Sequence, residues 1–452
     1  MNIFILGICG TFMANVALLA RSMGHTVSGM DQHTYPPMSD ILRAESITLI
    51  EGYDPADLPD DIDLVVVGNV MRADYPIVKA VEERGLPLTS GPAWLQDALG
   101  DERIMIAVSG THGKTTTTTL ITHLLSFAGK EPGFLVAGVP QDGQGSSALG
   151  KPPYFVIEAD EYDTAFFDKR AKLLLYHSSK KFIWVVGNLE FDHADIYDSI
   201  EDIEAVFREK AGLLKAHDVA VIADDDPRVC DVMKDTSASV TTFGLSSGDW
   251  FVKGKSSDGS RFELCHKNDA SISVAWSMVG DHNVKNALAA AAVAETCGCS
   301  LQQIADGLAS FQGVKRRFEY LGEANGASIY DDFAHHPTAI SYATHALRAS
   351  MRDGRLIAVV YFASNTMSGG KHSADDFKEA LAAADQAVLL AKTDDVSFLE
   401  DVSRVLPIPS SIAPNGDELY EQLQAVMQPG DKVLFMGNRS MLAVQERLIA
   451  KK

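Results

Sequence analysis

Short apolar runs alternate with longer amphipathic stretches along the first hundred residues. The runs with the length of buried strands are residues 3–6, 26–29 and 64–67, and the stretches with helical spacing are 14–23 and 77–84. Strands that alternate with helices in this way predict a parallel sheet with helices on its faces.

A second unit begins with an apolar run, a glycine loop and a helical stretch. Its predicted elements are strands at 104–109, 154–158 and 182–186 and a helix at 115–128. Between residues 241 and 279 the runs become short and are separated by Gly, Ser and Asp, which predicts a small antiparallel insert. The alanine-rich stretch 286–297 then predicts another helix.

A third unit begins near Arg317 and alternates again. Its helices are predicted at 337–351, 374–383 and 418–427, and its strands at 356–362, 387–390 and 432–436. The chain is therefore predicted to be an α/β protein of three domains, at 1–101, 102–317 and 318–452. The first and third are expected to be Rossmann-like, and the second is expected to resemble phosphate-loop ATPases with the small insert.

Length, charge and cysteine content limit the classes of function. A chain of 452 residues is too long for one ordinary hydrophobic core, which agrees with three units. No apolar run approaches the roughly 18 residues of a membrane-spanning helix. A net charge of -22 argues against nucleic-acid or anionic-membrane binding. Five cysteines without a Cys-x-x-Cys pair favour free thiols in a reducing compartment, so we expect a cytoplasmic protein without membrane insertion.

Residues 109–116 read Ser-Gly-Thr-His-Gly-Lys-Thr-Thr between a predicted strand and a predicted helix, the context of a phosphate-binding loop. Glycines let backbone N–H groups approach phosphate oxygens, Lys114 can reach the β- and γ-phosphates, and the Thr115 hydroxyl can bind Mg²⁺. Val108 stands where the longer P-loop pattern has a glycine, but the shorter Gly-Thr-x-Gly-Lys-Thr form is intact. The candidate ATP-binding residues of the loop are Gly110, Thr111, His112, Gly113, Lys114, Thr115 and Thr116. The alternative is a glycine-rich turn with an exposed lysine.

Two further strand ends carry polar side chains. Glu158 and Glu161 belong to an acidic run that ends one predicted strand, and His193 follows another. Because ligand sites of parallel sheets gather at strand ends, hard oxygen ligands there could hold Mg²⁺. Alone, the acidic run reads as a solvated loop and the histidine as a structural residue.

Two motifs keep both a structural and a functional reading. His282 and Asn286 lie at the start of the alanine-rich helix, where they could cap it or contact a ligand. Arg317 belongs to a Lys-Arg-Arg cluster that could be surface charge or could stabilise a transferring phosphate.

The first strand runs into the turn Gly7-Ile8-Cys9-Gly10, and Asp31 ends the second strand about 20 residues later. Cys9 replaces the middle glycine of a dinucleotide fingerprint and no third glycine follows, so nicotinamide binding is a weak interpretation. A pyrophosphate at the helix N-terminus needs less of the pattern. A tight turn without a ligand is the remaining alternative.

These motifs, in this order, resemble the Mur ligases. They are Gly110-Thr111-x-Gly113-Lys114-Thr115, Glu158-x-Asp160-Glu161, Asn188-x-Glu190-x-Asp192-His193, His282-Asn283-x-x-Asn286 and Arg316-Arg317-Phe318. The run 331–337, Asp-Asp-Phe-Ala-His-His-Pro, narrows the resemblance to the branch that acts on UDP-N-acetylmuramate. The resemblance covers essentially the whole chain. It implies a UDP-sugar-binding first domain, an ATP-binding second domain and a third domain for the incoming amine.

Two amines are compatible with this branch, L-alanine and the recycled peptide L-Ala-γ-D-Glu-meso-diaminopimelate. Segments 7–13, 35–39 and 364–367 favour the peptide, and the last carries most weight because the third domain handles the amine. Residues 361–364 depart from the Glu-Pro-Arg-Ser of other peptide-adding members, which leaves the peptide specificity open.

The resemblance also implies residue roles. Thr115 and Glu158 would bind one Mg²⁺, with Glu161 as the nearby alternative, and His193 would bind another. Lys114 and Arg317 would offset charge during phosphoryl transfer, and His336 is the candidate base. The remaining contacts are His282 and Asn286 with adenine, Arg317 and Asp331 with the phosphate or ribose of ATP, His335 and His336 near the muramoyl end, Gly7, Gly10, Thr11 and Asp31 with the UDP-sugar, and Ser364, Asn365 and Thr366 with the peptide.

The expected enzyme is thus a Mg-ATP-dependent ligase, a monomer or weak homodimer whose third domain closes over the second. Outside this class, a P-loop ATPase that switches a protein partner and an NAD oxidoreductase remain alternatives. The 331–337 run favours the ligase over both.

Overall fold

The structure is a computed structural model, and it describes residues 1–34, 38–191, 196–363, 372–392 and 396–450. Part of the 35–39 segment, His193, and the predicted peptide-binding residues Ser364, Asn365 and Thr366 lie outside the described residues. Across the described residues, no helix combines the length and apolar character needed to cross a membrane.

The N-terminal unit is a parallel sheet of five strands within the described residues, in the order β3-β2-β1-β4-β5. Its elements are β1 (Asn2–Leu6), α1 (Thr11–Ser22), β2 (Thr26–Asp31), α2 (Met38–Ala44), β3 (Thr48–Glu51), a short 3₁₀ helix (Pro55–Asp57), β4 (Leu64–Val67), α3 (Pro76–Glu83), β5 (Leu88–Ser90) and α4 (Gly91–Leu99). The switch in strand order lies beside β1, so the turn after β1 and the start of α1 face the crevice where such sheets bind ligands.

The central unit is built on a mixed sheet whose described strands follow the order β17-β16-β15-β14-β13-β12-β6-β9-β7-β8. Its first elements are β6 (Ile104–Ser109), α5 (Lys114–Phe127), β7 (Gly133–Leu135), β8 (Ser147–Ala148), β9 (Tyr154–Glu158), β10 (Asp163–Ala165), β11 (Asp168–Ala171), α6 (Lys172–Leu175) and β12 (Phe182–Val186). Its later elements are α7 (Ile200–Leu213), β13 (Val219–Ala223), α8 (Pro227–Met233), β14 (Ser239–Phe243), β15 (Trp250–Lys253), β16 (Arg261–His266), β17 (Ser271–Ala275), α9 (Asp281–Thr296) and α10 (Leu301–Ser310). Because β9, β6 and β12 are adjacent and parallel, their three C-terminal ends meet at one edge.

The predicted antiparallel insert is β15, β16 and β17, which pair antiparallel. They continue the central sheet beyond β14.

Two helices, α5 and α9, pack against each other behind the phosphate loop. In α5, the hydroxyls of Thr118, Thr119 and Thr122 donate to the backbone carbonyls four residues earlier, so buried polar groups are satisfied within the helix. Its partner α9 presents a buried run of alanines. Small side chains on one helix and self-satisfied hydroxyls on the other allow the two backbones to approach.

The C-terminal unit is a sheet in the order β18-β19-β23-β20-β21-β22, in which only β18 pairs antiparallel among the described strands. Its elements are β18 (Glu319–Ala324), β19 (Ala327–Asp332), α11 (Pro337–Ala349), β20 (Leu356–Tyr361), α12 (Ala374–Ala380), β21 (Gln386–Leu390), α13 (Ser397–Val405), β22 (Ser410–Ala413), α14 (Gly416–Val426), β23 (Lys432–Met436) and α15 (Leu442–Ile449). The predicted α/β class is confirmed; the exact domain boundaries remain a prediction. All five cysteines are free thiols, as expected.

Candidate active site

The phosphate loop joins β6 to α5 at the shared strand edge. Gly110 (φ +131°) and Gly113 (φ +82°) adopt backbone conformations that favour glycine, and a Cβ at Gly113 would lie 2.6 Å from Asn286 Oδ1. Lys114 Nζ donates to Gly110 O at 2.7 Å and lies 3.2 Å from Glu161 Oε2. Burial alone would lower the pKa of Lys114, but attraction to Glu161 and Asp160 outweighs it and raises the pKa. Thr111, His112, Thr115 and Thr116 complete the loop and the first turn of α5.

Thr115 and Glu158 form a pair of hard oxygen ligands beside this loop. Thr115 Oγ1 donates to Glu158 Oε2 at 3.1 Å, and Ala137 N–H donates to Glu158 Oε1 at 2.6 Å. Burial raises the pKa of Glu158 despite the Ala137 donor and the nearby cations Arg317 and Lys114, so a further cation beside it would favour the charged form. The donor set and its burial fit Mg²⁺. Glu161 is instead engaged with Lys114.

Arg317 is brought to the same edge by a strained turn. Arg316 (φ +56°) and Phe318 (φ +60°) flank it in the left-handed region, which costs on the order of 1 kcal/mol at each residue. Arg317 Nη2 donates to Thr115 Oγ1 at 3.3 Å, and its guanidinium lies 4.8 Å from the centroid of the Phe333 ring. The turn therefore directs a cation at the Thr115 hydroxyl.

Asp331 lies beside Arg316. Arg316 Nε donates to Asp331 Oδ2 at 3.0 Å, and Arg316 Nη2 donates to the Gly437 carbonyl. Asp331 thus faces Arg316 in this structure, and its contact with ATP remains a prediction.

The start of α9 supplies His282 and Asn286. Asn286 Oδ1 accepts from Thr117 Oγ1 at 3.1 Å, which joins α9 to the helix behind the phosphate loop. The His282 ring lies parallel to the Tyr342 ring of α11, with centroids 5.7 Å apart and an interplanar angle of 9°. Burial lowers the pKa of His282 to about 4, so the ring is neutral at pH 7.

The N-terminal turn holds its predicted residues together. Gly7 has φ +79°, Gly10 precedes α1, and Thr11 is the first helical residue. Asp31 Oδ2 accepts a hydrogen bond from Cys9 N–H at 2.8 Å, so this carboxylate already faces the helix N-terminus.

Lys172 is a site residue that the sequence analysis missed. Its side chain is 5% exposed, with Nζ 3.4 Å from Asp160 Oδ2 and 4.9 Å from the centroid of the Phe12 ring on α1. Asp160 Oδ1 lies 3.8 Å from Lys114 Nζ, so one carboxylate joins the phosphate loop to the start of the N-terminal crevice. The only signal in the sequence was the basic run 169–172 in an acidic chain, which reads as surface charge.

The C-terminal unit meets the phosphate loop through α11. The ring of His336, the N-cap of α11, lies 5.0 Å from the His112 ring, and Thr338 Oγ1 donates to Glu190 Oε2 at 2.7 Å. His112 Nε2 lies 3.5 Å from the same carboxylate oxygen. Burial would raise the pKa of Glu190, but His112 and Thr338 outweigh it and lower the pKa. The neighbouring His335 Nδ1 lies 2.9 Å from the Phe333 carbonyl.

Among the described residues, His112, Glu190 and His336 have ligand atoms within 4.8 Å of one another, a spacing that could hold a metal ion. However, His336 Nδ1 already accepts a hydrogen bond from Thr338 N–H at 3.2 Å. A metal on the opposite nitrogen would require a proton on Nδ1, which is incompatible with that bond. The cluster therefore fits a hydrogen-bonded contact between units better than a metal site.

Comparison with known families gives matches along the chain. Residues 2–103 match the profile "Mur ligase family, catalytic domain", residues 108–294 match "Mur ligase middle domain", and residues 316–439 match "Mur ligase, glutamate ligase domain".

Individual relatives cover the full length. The "UDP-N-acetylmuramate--L-alanyl-gamma-D-glutamyl-meso-2,6-diaminoheptandioate ligase" of Haemophilus influenzae is 40% identical over 100% of this chain and 99% of its own. The Escherichia coli protein of the same name is 40% identical over 99% of this chain and 98% of its own. A "UDP-N-acetylmuramate--L-alanine ligase" of Roseiflexus is 32% identical over 99% of this chain and 98% of its own.

Solved structures of Mur ligases also align with the whole chain. A murein peptide ligase from Psychrobacter arcticus aligns with a TM-score of 0.77 and 35% identity, covering 100% of this chain and 98% of its own. A UDP-N-acetylmuramate-alanine ligase from Thermotoga maritima has a TM-score of 0.81 over 100% of this chain and 99% of its own. At 22% identity it supports the fold alone.

Proposed function

The chain belongs to the Mur ligase family, and we propose that it joins the lactoyl carboxylate of UDP-N-acetylmuramate to the amine of L-Ala-γ-D-Glu-meso-diaminopimelate with hydrolysis of ATP. This reaction returns a recycled wall peptide to the pool of peptidoglycan precursors. The observation that carries the peptide assignment is the 40% identity with two full-length relatives named for that reaction, against 32% for the L-alanine-adding relative.

In the first step, the lactoyl carboxylate attacks the γ-phosphorus of ATP in line, the bond to the β–γ bridging oxygen breaks, and ADP leaves. Lys114 and Arg317 are proposed to hold the transferring phosphoryl group from two sides, since both converge on the first turn of α5. Thr115 and Glu158 would hold Mg²⁺, which supplies charge neutralisation between the phosphates when bound. The product of this step is an acyl phosphate.

In the second step, the free amine of the peptide attacks the acyl carbon and inorganic phosphate leaves as the amide forms. The amine must lose a proton, and His336 is the candidate acceptor by position beside the phosphate loop. With Nδ1 accepting from Thr338 N–H, the neutral ring carries its proton on Nε2. His336 would therefore have to exchange that bond before it could accept a proton, and contact with the muramoyl end is the simpler proposed role.

The other proposed contacts follow the units of the fold. His282 and Asn286 lie together at the start of α9, where we place adenine. The turn that contains Gly7, Gly10 and Thr11 opens to the N-terminal crevice, where we place the UDP moiety.

The deciding experiment incubates the protein with Mg-ATP and UDP-N-acetylmuramate and adds either the peptide or L-alanine. Phosphate release and product mass are followed together. A ligated product from the peptide alone supports the proposal, whereas a preference for L-alanine would assign the chain to the biosynthetic step. Phosphate release at a rate that depends neither on the amines nor on the UDP-sugar would favour a P-loop ATPase that switches a protein partner.

A further inference from the structure

A ligase that uses ATP on one unit and an amine on another must coordinate the two units. Resting on the proposed function, we infer that Glu190 is a positioning residue that couples the phosphate loop to the C-terminal unit. Its backbone is hydrogen-bonded to the phosphate loop, and its carboxylate accepts a hydrogen bond from α11, the first helix of the C-terminal unit. The sequence alone did not predict a role for Glu190.

The backbone of Glu190 is fixed to the phosphate loop by a reciprocal pair of hydrogen bonds. Glu190 N–H donates to Thr111 Oγ1 at 2.8 Å, and Thr111 Oγ1 donates to Glu190 O at 3.2 Å. Two residues earlier, Asn188 Oδ1 accepts from His112 N–H at 2.8 Å and Asn188 Nδ2 donates to His112 O at 3.0 Å. The segment after β12 and the loop therefore move as one piece.

The carboxylate of Glu190 points to the opposite unit. Thr338 Oγ1 donates to Glu190 Oε2 at 2.7 Å, a contact between residues 148 positions apart in the chain. A hydrogen bond to a charged acceptor is about twice as strong as one between neutral groups. The contact thus favours the arrangement in which the C-terminal unit is docked.

Thr338 is the first member of a stripe along α11 that faces the central unit, made of Thr338, Tyr342 and Ala346. Tyr342 stacks on His282, and Ala346 packs against Gly280 so closely that a Cβ on the glycine would lie 2.7 Å from the alanine Cβ. Residues four apart lie on one helix face, so the stripe is a continuous docking seam. Its polar contact, from Thr338, lies at the end nearest the phosphate loop.

Through Glu190, docking of the C-terminal unit is coupled to the backbone conformation of the phosphate loop. When the C-terminal unit is docked, the Glu190 carboxylate accepts a hydrogen bond from the Thr338 hydroxyl. The Glu190 backbone is in turn hydrogen-bonded to Thr111, which belongs to the phosphate loop. Removing the Thr338 hydroxyl should therefore reduce turnover more than initial binding of ATP.

The test compares Thr338→Val with Thr338→Ser, with Ser341→Ala as the matched control. Ser341 is on the same helix, and its hydroxyl lies 3.3 Å from His345 Nδ1, one turn further along α11. Wild-type ligation is measured first with both amines, so that a failure of the proposed substrate is seen separately; the variants are then assayed with the amine that wild type uses.

We expect Thr338→Val to lower kcat about ten-fold while KM for ATP changes little, because a bond to a charged group is lost only in the docked state. Thr338→Ser should restore kcat, and Ser341→Ala should match wild type. Small-angle scattering with an ATP analogue and UDP-N-acetylmuramate should show less compaction for Thr338→Val. In a double-mutant cycle, Glu190→Ala combined with Thr338→Val should lose no more than the larger single effect.

A wild-type kcat for Thr338→Val, or additive losses in the cycle, would overturn the inference. If Thr338→Val does not fold, Glu190→Gln and Glu190→Ala replace it. The glutamine keeps an acceptor for Thr338 and the alanine does not, so the alanine variant must lose more kcat; equal losses would also overturn the inference.

Discussion

The ammonium group of Lys114 lies 3.2 Å from Glu161 Oε2, so a carboxylate holds the cation that the phosphate loop offers to ATP. Glu158, three residues earlier, faces the Thr115 hydroxyl at 3.1 Å instead. The two glutamates therefore have different partners although Glu158 ends β9 and Glu161 follows it by only three residues. Arriving phosphates would compete with Glu161 for Lys114, whereas Glu158 and Thr115 together offer oxygen ligands to Mg²⁺.

The first prediction separates these two roles. Glu158→Gln removes a charged ligand and should raise the Mg²⁺ concentration that gives half-maximal rate by about ten-fold or more, at saturating ATP. Glu161→Gln should leave the Mg²⁺ requirement close to that of wild type. A Mg²⁺ titration of phosphate release measures both, and the reverse order would assign the metal to Glu161.

The second prediction concerns Arg317. Arg317→Lys should lower kcat by about a hundred-fold, since a lysine cannot keep both the contact with Thr115 and the guanidinium stacked on Phe333. Lys315→Ala is the control, because Lys315 is exposed two residues away. Steady-state kinetics with both substrates saturating give the comparison. Equal effects of the two substitutions would mean that the Lys-Arg-Arg cluster acts only as surface charge.

The third prediction tests Lys172 as an anion-binding residue between the UDP-sugar crevice and the phosphate loop. Lys172→Met should raise KM for UDP-N-acetylmuramate about ten-fold while KM for ATP changes little, because Lys172 lies beside α1 and Lys114 remains. Lys169→Met removes an exposed cation from the same run and should have no such effect. Unchanged KM values for Lys172→Met would make the buried lysine a structural partner of Asp160.

The fourth prediction concerns acid stability. Burial lowers the pKa of His282 from 6.5 to about 4 in the folded state, so an unfolded chain binds a proton at this site more readily. Its contribution to stability is fully present above pH 6.5 and is lost as the pH falls towards 4. At pH 5 the loss is about 2 kcal/mol.

His282→Gln should therefore flatten the decrease in melting temperature between pH 7.5 and pH 5 relative to wild type. Other titrating groups are common to the two proteins, so the difference between the curves isolates His282. Parallel curves would mean that the ring is charged as easily in the folded state as in the unfolded state.

Local patterns in the sequence predicted the elements that carry the phosphate loop. The helix predicted at 115–128 is α5, Lys114–Phe127, and the predicted strand 154–158 is β9 itself. The alanine-rich helix was predicted to begin at Asn286 but begins at Asp281. Its first turn contains polar residues that follow Gly280, and these obscure the apolar periodicity.

Contacts between units were beyond those patterns. Periodicity identifies which face of a helix is buried but not the element that covers it, so the Thr338–Glu190 bond could not be predicted. Lys172 was missed because a buried lysine and a surface lysine look alike in sequence. Asp331 was assigned to ATP by resemblance, and that contact stays a prediction; its hydrogen bond with Arg316 was not foreseen.

Threonine-rich α5 packs against alanine-rich α9 directly behind the phosphate loop and supports it from that side. A loop that is already ordered has few conformations to lose when nucleotide enters, so little binding free energy goes into arranging it. In the proposed mechanism, motion during turnover then occurs mainly at the seam along α11. An inhibitor bound in the loop would then meet an ordered site, whereas a molecule bound between α11 and α9 would block the docking that we infer for the C-terminal unit.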